Sequence, residues 1–398
     1  MISEKMQRMA ANNSAIRNMF EEGKRLAALY GSENVYDFSL GNPNFPAPEA
    51  VRTEGIKILE SEDPVALHGY MSNAGYPEVR QAIADHLNGQ YGTKYGVDQI
   101  IMTVGAAGGL NVILKTLLNP GDEVLVFAPY FLEYGNYVSN FDGKLVAIPA
   151  DRETFMPDPE ELKKAITPKT KALILNNPNN PTGVIYSEEV LRQIAAVLEE
   201  KEKELGQPIY IVSDEPYREL AFDGTEVPYI PCFYKNTIVG YSWSKSLSLP
   251  GERIGYLAIS PEATDGDLIC QAAVVANRIL GFVNAPALQQ KIVMKCLNAK
   301  TDIGAYDTNR KILYKGLTDC GFTCVYPKGA FYMWMKTPVD DKEFAAAAKE
   351  FNLLLVPGSS FACPGFVRIA YCVAKSTIEN SLPAFKKLAE KFNLTAEK

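Results

Sequence analysis

Histidine is nearly missing from this chain: its 398 residues contain two, His68 and His86. With so few imidazoles, and no CxxC pair among seven scattered cysteines, a zinc cluster is disfavoured. Reduced thiols packed as small apolar residues are the simpler expectation. No run of lysine and arginine of the length a nucleic-acid arm needs is present, and a net charge of −7 gives no overall pull toward a polyanion. Long apolar runs are lacking too. The most apolar stretch, Leu268 to Leu288, is interrupted by Asn277 and Arg278, which argues against a membrane span. The opening MISEKMQRMA is charged and has no apolar core of a secretory signal, so a cytoplasmic protein is expected. The GxGxxG fingerprint and the Walker GK[ST] are also absent, which disfavours a dinucleotide or nucleoside-triphosphate site.

What remains is a globular mixture. Hydrophobic residues make up 47% and charged residues 22%, well away from disordered or collagen-like compositions. The length points to two domains, or to one large domain with a smaller companion. Seven short aliphatic and β-branched runs read as strands covered on both faces: Ile100–Val104, Glu123–Phe127, Lys144–Ile148, Ala172–Asn176, Ile209–Asp214, Thr237–Tyr241 and Gly255–Ile259. Helical spacing separates several of them, over Gly108–Leu118, Pro159–Ile166 and Ser187–Leu205. In the last, Ser187 predicts a capped start, and Val190, Leu191, Ile194, Ala195 and Leu198 share one face. This alternation predicts an α/β sheet with helices on both sides. After about residue 290 the texture changes. A helix over Ala287–Leu317, the runs Gly321–Tyr326, Ala330–Met335 and Val367–Tyr371, a helix over Asp341–Phe351 and a last helix from Ser376 predict a separate α+β unit. A first helix, Ser14–Tyr30, and the extended segment after it are expected to pack against that unit. The expected division is an N-terminal arm (1–45), a large domain (46–290) and a small C-terminal domain (291–398).

The chemistry concentrates where strands end. Ser242-Trp243-Ser244-Lys245 follows directly on the run Thr237–Tyr241. A lysine there, among small residues and ahead of Leu247, Leu249 and Pro250, is expected to be desolvated. Desolvation lowers its pKa and frees the amine as a nucleophile toward an aldehyde. A surface lysine after an edge strand competes with that reading and is, for this residue alone, the commoner case. Arg253, eight residues on, supplies a fork of donors suited to a dianionic phosphate, or else a structural ion pair. The run Ile211-Val212-Ser213 delivers Asp214 to a strand's carboxyl end, where ligands bind in open α/β sheets. A carboxylate there can keep a ring nitrogen protonated, and Tyr217 can reach a phenolic oxygen on the same ring. Metal binding or helix capping is the alternative role for Asp214.

Three further segments follow strands. Asn176 to Gly183 is rich in turn formers and could be only a tight connection, but an asparagine before proline is held extended, so its amide can point into a cleft. Val104-Gly105-Ala106-Ala107-Gly108-Gly109 joins strand to helix with the bare amides that cradle phosphate. Pro129-Tyr130-Phe131 supplies aromatics able to stack on a flat heterocycle, or to fill an aromatic core corner. Singly each is ambiguous. Together they converge on a phosphorylated pyridine aldehyde.

In these motifs the sequence resembles the class I/II aminotransferases of pyridoxal-phosphate (PLP) fold type I, over nearly the whole chain from Leu40-Gly41-Asn42-Pro43 to Val367-Arg368-Ile369-Ala370-Tyr371. The resemblance implies a large domain around a mixed seven-stranded sheet plus a small α+β domain, usually as a homodimer. It implies that Lys245 carries the cofactor as a Schiff base and acts as the catalytic base, with Asp214 on the pyridine nitrogen and Asn180 and Tyr217 at the ring hydroxyl. Ala106, Ala107, Ser242, Ser244 and Arg253 would hold the phosphate, Phe131 would stack on the ring, and Tyr70 would reach the neighbouring subunit's phosphate. Arg368, with Gly41 and Asn180, would grip the substrate α-carboxylate. No metal is implied.

The expected activity is ping-pong transfer of an amino group between an L-amino acid and a 2-oxo acid such as 2-oxoglutarate. Aspartate is the favoured donor, with alanine or aromatic amino acids close behind. Arg278 lies in roughly the region from which some relatives reach a distal carboxylate, though the spacing differs. A PLP-dependent C–S β-lyase shares the same constellation. A PLP-sensing regulator would need a DNA-binding domain that forty N-terminal residues cannot supply, and a nucleotide-binding protein is lower still.

Overall fold

The computed structural model describes residues 2–11, 15–149 and 151–395. Its largest sheet is built from the seven anticipated runs: β1 (Ile100–Thr103), β2 (Glu123–Ala128), β3 (Lys144–Pro149), β4 (Thr170–Asn176), β5 (Tyr210–Asp214), β6 (Thr237–Ser242) and β7 (Gly255–Ile259). The spatial order is β1-β7-β6-β5-β4-β2-β3. Strands β2 to β6 run parallel, while β7 is antiparallel to both β6 and β1. This is the mixed seven-stranded α/β sheet that the resemblance implied. Central strands are buried along their length, as continuous aliphatic runs require, and only the edge strand β3 is substantially exposed.

Helix Glu188–Leu205 starts as read, with the Ser187 hydroxyl accepting from Val190 N, and stops at Gly206 in the left-handed region. Elsewhere the boundaries differ. The helix expected from Gly108 begins at Gly105, because Gly105 takes φ +68° and turns the chain out of β1 at once. The single helix expected over Ala287–Leu317 is two, Ala287–Lys295 and Ile303–Asp319. Between them Thr301 N bonds the Ser246 carbonyl at 3.0 Å, and the Asp302 carboxylate accepts from Ala305 N to cap a fresh start. Helices Glu49–Ser61, Pro77–Tyr91, Glu133–Asn140 and Gly266–Ile279 were not anticipated. The helix expected over Ser14–Tyr30 is described from Ala15, with Ser14 outside the described residues, and an unanticipated helix, Glu4–Ala11, precedes it.

Beyond residue 303 a four-stranded antiparallel sheet forms from β8 (Cys324–Val325), β9 (Tyr332–Lys336), β10 (Val356–Pro357) and β11 (Phe366–Ala370), in the order β10-β11-β9-β8. Phe344, Leu353, Ile369 and Phe385 anchor its core. The N-terminal segment packs on this unit as expected. Tyr36–Asp37 pairs in parallel with Leu353–Leu354, and Met19, Leu26 and Val35 pack with Leu354.

Candidate active site

Strand register sets the site. Asn176, Asp214 and Ser242 are the last residues of β4, β5 and β6, so three polar side chains leave adjacent strands at one edge. Asn176 pairs with Asp214 across the ladder, and Asn176 Nδ2 donates to the Asp214 carbonyl at 2.8 Å. Because β7 is antiparallel, its start at Gly255 reaches the same edge and brings Arg253 beside Gly105. A cavity of about 270 Å³ opens there.

Lys245 projects into this cavity, with Nζ donating to the Gly41 carbonyl at 2.7 Å. Burial holds its pKa down to about 8, with Cys372 opposing and Arg253 and Arg368 assisting. Asp214, 6% exposed, is moved the other way. Burial raises its pKa to about 7, the Tyr134 hydrogen bond opposes, and neighbouring Glu215 adds to the rise. Oδ2 accepts from Tyr134 Oη at 2.5 Å, and Oδ1 is buried without a partner.

That raised pKa makes a signed prediction for the cofactor-free protein. The folded chain keeps the Asp214 proton up to about pH 7, whereas an unfolded aspartate releases it near 4. Between those values the native state binds more protons, so stability falls as pH rises through the window and stays lower above it. Asp214→Asn lacks this loss. Its melting temperature, relative to wild type, is expected to climb between pH 4 and 7 by the equivalent of roughly 4 kcal/mol. Parallel melting profiles for the two proteins would refute it.

Among the lining residues, Ala106 and Ala107 open the helix Gly105–Leu117, where first-turn amides have no intrahelical acceptor. Ser242 Oγ bonds Ser244 Oγ at 3.1 Å, and Arg253, in the left-handed region at φ 51°, donates to the Pro250 carbonyl. A side chain at Gly105 would sit 2.7 Å from Arg253 Nη2, so only glycine leaves the guanidinium its place. Arg368, also lining the cavity and 2% exposed on β11, donates from Nη1 to Asn180 Oδ1 at 3.0 Å and from Nη2 to the Ser39 carbonyl at 2.5 Å. Its Nε is buried without a partner, and its guanidinium lies over the rings of Tyr332 and Phe361 at 4.5 and 4.8 Å.

Twelve of the fourteen residues singled out from the sequence, all but Tyr70 and Arg278, line this one cavity: Gly41, Ala106, Ala107, Phe131, Asn180, Asp214, Tyr217, Ser242, Ser244, Lys245, Arg253 and Arg368. Lys245 is therefore no surface lysine. Tyr70 is not among them; it stands 95% exposed on the surface. Two hydrogen bonds differ from the simplest expectation: Tyr217 Oη pairs with Tyr332 Oη at 2.9 Å, and the Gly41 carbonyl serves Lys245. Tyr332 and the Tyr134 bond to Asp214 were missed. The available signal was a hydroxyl inside an otherwise apolar run, Phe331-Tyr332-Met333-Trp334-Met335, since a buried tyrosine hydroxyl needs a partner. Among the described residues no cluster of three or more His, Cys, Asp or Glu is placed to hold a metal ion, and no helix is long and apolar enough to cross a membrane.

Comparison with known proteins agrees with this geometry. The family model for aminotransferase class I and II matches residues 33–385. The chain is 35% identical over 352 residues to the probable aspartate/prephenate aminotransferase of Thermus aquaticus, covering 87% of this chain and 89% of the relative. A crystal structure of an aminotransferase from Eubacterium rectale superposes with a TM-score of 0.96 at 46% identity, over 99% of both chains. Aspartate aminotransferase from Thermus thermophilus, solved with maleate, superposes with a TM-score of 0.87 at 29% identity, over 98% of this chain and 99% of the other. The chain belongs to the class I and II aminotransferases and is a PLP-dependent transaminase of fold type I.

Proposed function

We propose that the enzyme moves an amino group between L-aspartate and a 2-oxo acid such as 2-oxoglutarate, with Lys245 as the reacting amine. The observation that carries the site assignment is the presence of a half-buried, weakly basic amine in one cavity with a partnerless Asp214 oxygen and a partnerless Arg368 nitrogen. The residues present fit the cofactor. Asp214 Oδ1 awaits a donor such as a ring N–H. The opening amides of Gly105–Leu117, with Ser242, Ser244 and Arg253, offer a phosphate cradle. Phe131 would stack on the ring, and Asn180 and Tyr217 would meet its hydroxyl. When bound, the cofactor supplies an aldehyde carbon to receive an amine and a protonated ring to take up an electron pair.

The chain's own residues supply the rest. Lys245 Nζ, a substantial fraction of it neutral near pH 8, takes the proton from the substrate Cα. Asp214 holds the proton on the ring nitrogen. Arg368 binds the α-carboxylate, oriented by Asn180 and Ser39, while Gly41 lends its carbonyl to Lys245. A homodimer is part of the same reading. Tyr70 is exposed, yet its loop is held firmly, with Asn284 Nδ2 donating to the Met71 and Ser72 carbonyls and Asn277 Nδ2 to Asn73. Such a tyrosine is available to a second subunit's phosphate. We also propose the division into an N-terminal arm (1–45), a large domain (46–290) and a small domain (291–398). The packing of Ile292 and Val293 with Ile58 and Ile83 favours moving the second boundary into 296–302.

Aspartate is supported by the relatives' names, among them aspartate aminotransferase of Pyrococcus horikoshii, 29% identical over 95% of this chain. A second reading has its own observation. The cationic side chains lining the cavity among the described residues are Lys245, Arg253 and Arg368, each with a task, and Leu40, Phe131, Tyr137 and Tyr332 give it apolar walls. An aromatic donor fits such walls, and aromatic-amino-acid aminotransferase 2 of Thermococcus litoralis is 30% identical over 96% of the chain. With 2-oxoglutarate as acceptor, kcat/KM for L-aspartate is expected to exceed that for L-phenylalanine and L-alanine by at least about tenfold, a difference of about 1.4 kcal/mol. The reverse order would pass the assignment to the aromatic reading. Pyruvate release from cystathionine without an oxo acid would pass it to a β-lyase.

A further inference from the structure

The two carboxylate oxygens of Asp214 have different surroundings. Oδ2 accepts the Tyr134 hydroxyl, and Oδ1 is buried and partnerless. Tyr134 is 1% exposed and fixed from two sides. Its backbone N–H bonds the Phe131 carbonyl at 3.1 Å, and its ring stands edge-on to the Phe131 ring, at 5.6 Å and 87°. The backbone of Asp214 is fixed as well, by Asn176 Nδ2. Glu215, the neighbouring carboxylate, is occupied by Ser213 Oγ and Arg218 Nε and offers Asp214 no donor. Tyr134 is thus the side-chain donor to the Asp214 carboxylate among the described residues.

The geometry points to Tyr134 as a positioning residue, whose hydroxyl occupies one Asp214 oxygen so that the other stays ionised toward the cofactor ring nitrogen and the shared proton rests on the ring. This rests on the role proposed above for Asp214. The physical reason is competition for one proton between two bases. A donor on Oδ2 draws charge from Oδ1 and makes the carboxylate the weaker base of the pair. Without that donor, a carboxylate buried as deeply as this one is the stronger claimant. The N–H bond on the ring is then exchanged for an O–H bond on Asp214, and a neutral ring accepts an electron pair poorly. Nothing is oxidised or reduced; one proton changes place.

The test uses holoenzyme loaded with cofactor labelled with ¹⁵N in the ring. In wild type the ring resonance is expected in the protonated range near pH 7.5. In Tyr134→Phe it is expected to move toward the unprotonated range while the visible band that depends on Lys245 persists. In step with it, kcat falls by about tenfold to a hundredfold, the loss expected for one hydrogen bond to a charged group, and KM stays within about twofold. Fluorotyrosine at position 134, a stronger donor of the same shape, is expected to move the resonance the opposite way, and it covers the case in which phenylalanine disturbs folding. A resonance unmoved by either variant overturns the role of Tyr134. If Asp214→Asn also leaves it unmoved, the reading of Asp214 falls with it; if Asp214→Asn moves it, only Tyr134 is refuted.

Discussion

Lys245→Ala is expected to remove the visible absorbance band of the holoenzyme and to lower the rate of amino transfer by at least about 10⁴, the upper range for a positioned acid–base group, with the loss of the cofactor's own amine added to it. The size follows from the environment. A lysine with its ordinary pKa near 10.4 is almost wholly protonated at pH 7.5, and lowering that pKa to about 8 raises the neutral fraction by roughly two orders of magnitude. The variant loses this amine while the candidate phosphate cradle, built from Ala106, Ala107, Ser242, Ser244 and Arg253, is left intact. Cofactor should therefore still bind, without the band. A small added amine such as methylamine should restore part of the rate, because it can stand in for the missing side-chain amine as a base. Lys245→Arg, which keeps a cation but offers no neutral nitrogen at this pH, should resemble alanine. If the band and more than a tenth of the activity survive in both variants, the assignment of Lys245 is wrong.

The same lysine marks what a linear sequence can and cannot disclose. Its position after a strand was legible because β-branched runs announce strands wherever both faces are covered, and all seven runs of the large sheet are strands. Strand ends then bring residues together without further information. Asn176, Asp214 and Ser242 are separated by successive gaps of 38 and 28 positions and share an edge because their strands are register-matched neighbours. Tyr134 and Tyr332 were not legible in that way. Their partners, Asp214 and Tyr217, lie 80 and 115 positions away, and nothing in local periodicity specifies which distant hydroxyl meets which acceptor. The break at 296–302 was lost for a related reason. Helical spacing continues on both sides of it, and the contact that holds the break open, Thr301 N to the Ser246 carbonyl, is tertiary. Helix Pro77–Tyr91 did carry local signals, a proline in its first turn and Gly92 in the left-handed region at its end, but charged and polar positions interrupt its apolar face.

Arg368→Lys is expected to lower kcat/KM by about 10² to 10³ for the amino donor and the oxo-acid acceptor alike, within the 2–5 kcal/mol typical of a buried, hydrogen-bonded charge pair that loses its geometry. Both substrates carry the same α-carboxylate, so one fork serves both half-reactions. Of the five guanidinium N–H donors, one from each Nη is engaged by Asn180 and Ser39, and Nε has no partner, which leaves enough to meet both oxygens of a carboxylate. The plane of that fork is set by the flanking rings of Tyr332 and Phe361. Lysine keeps the charge and loses the plane, the second donor and the stacking, so the remaining interaction is that of a point charge. Most of the loss should appear in KM, because the carboxylate is bound before and during proton removal. A smaller part should appear in kcat, since a substrate held at one oxygen no longer keeps its Cα–H at a fixed angle to the ring. The cofactor band should be unchanged, because Arg368 is not among the residues of the proposed phosphate cradle, Ala106, Ala107, Ser242, Ser244 and Arg253, and the substitution leaves Lys245 in place. Loss of the band, or a fall confined to one of the two substrates, would show that Arg368 serves the cofactor or a side chain instead.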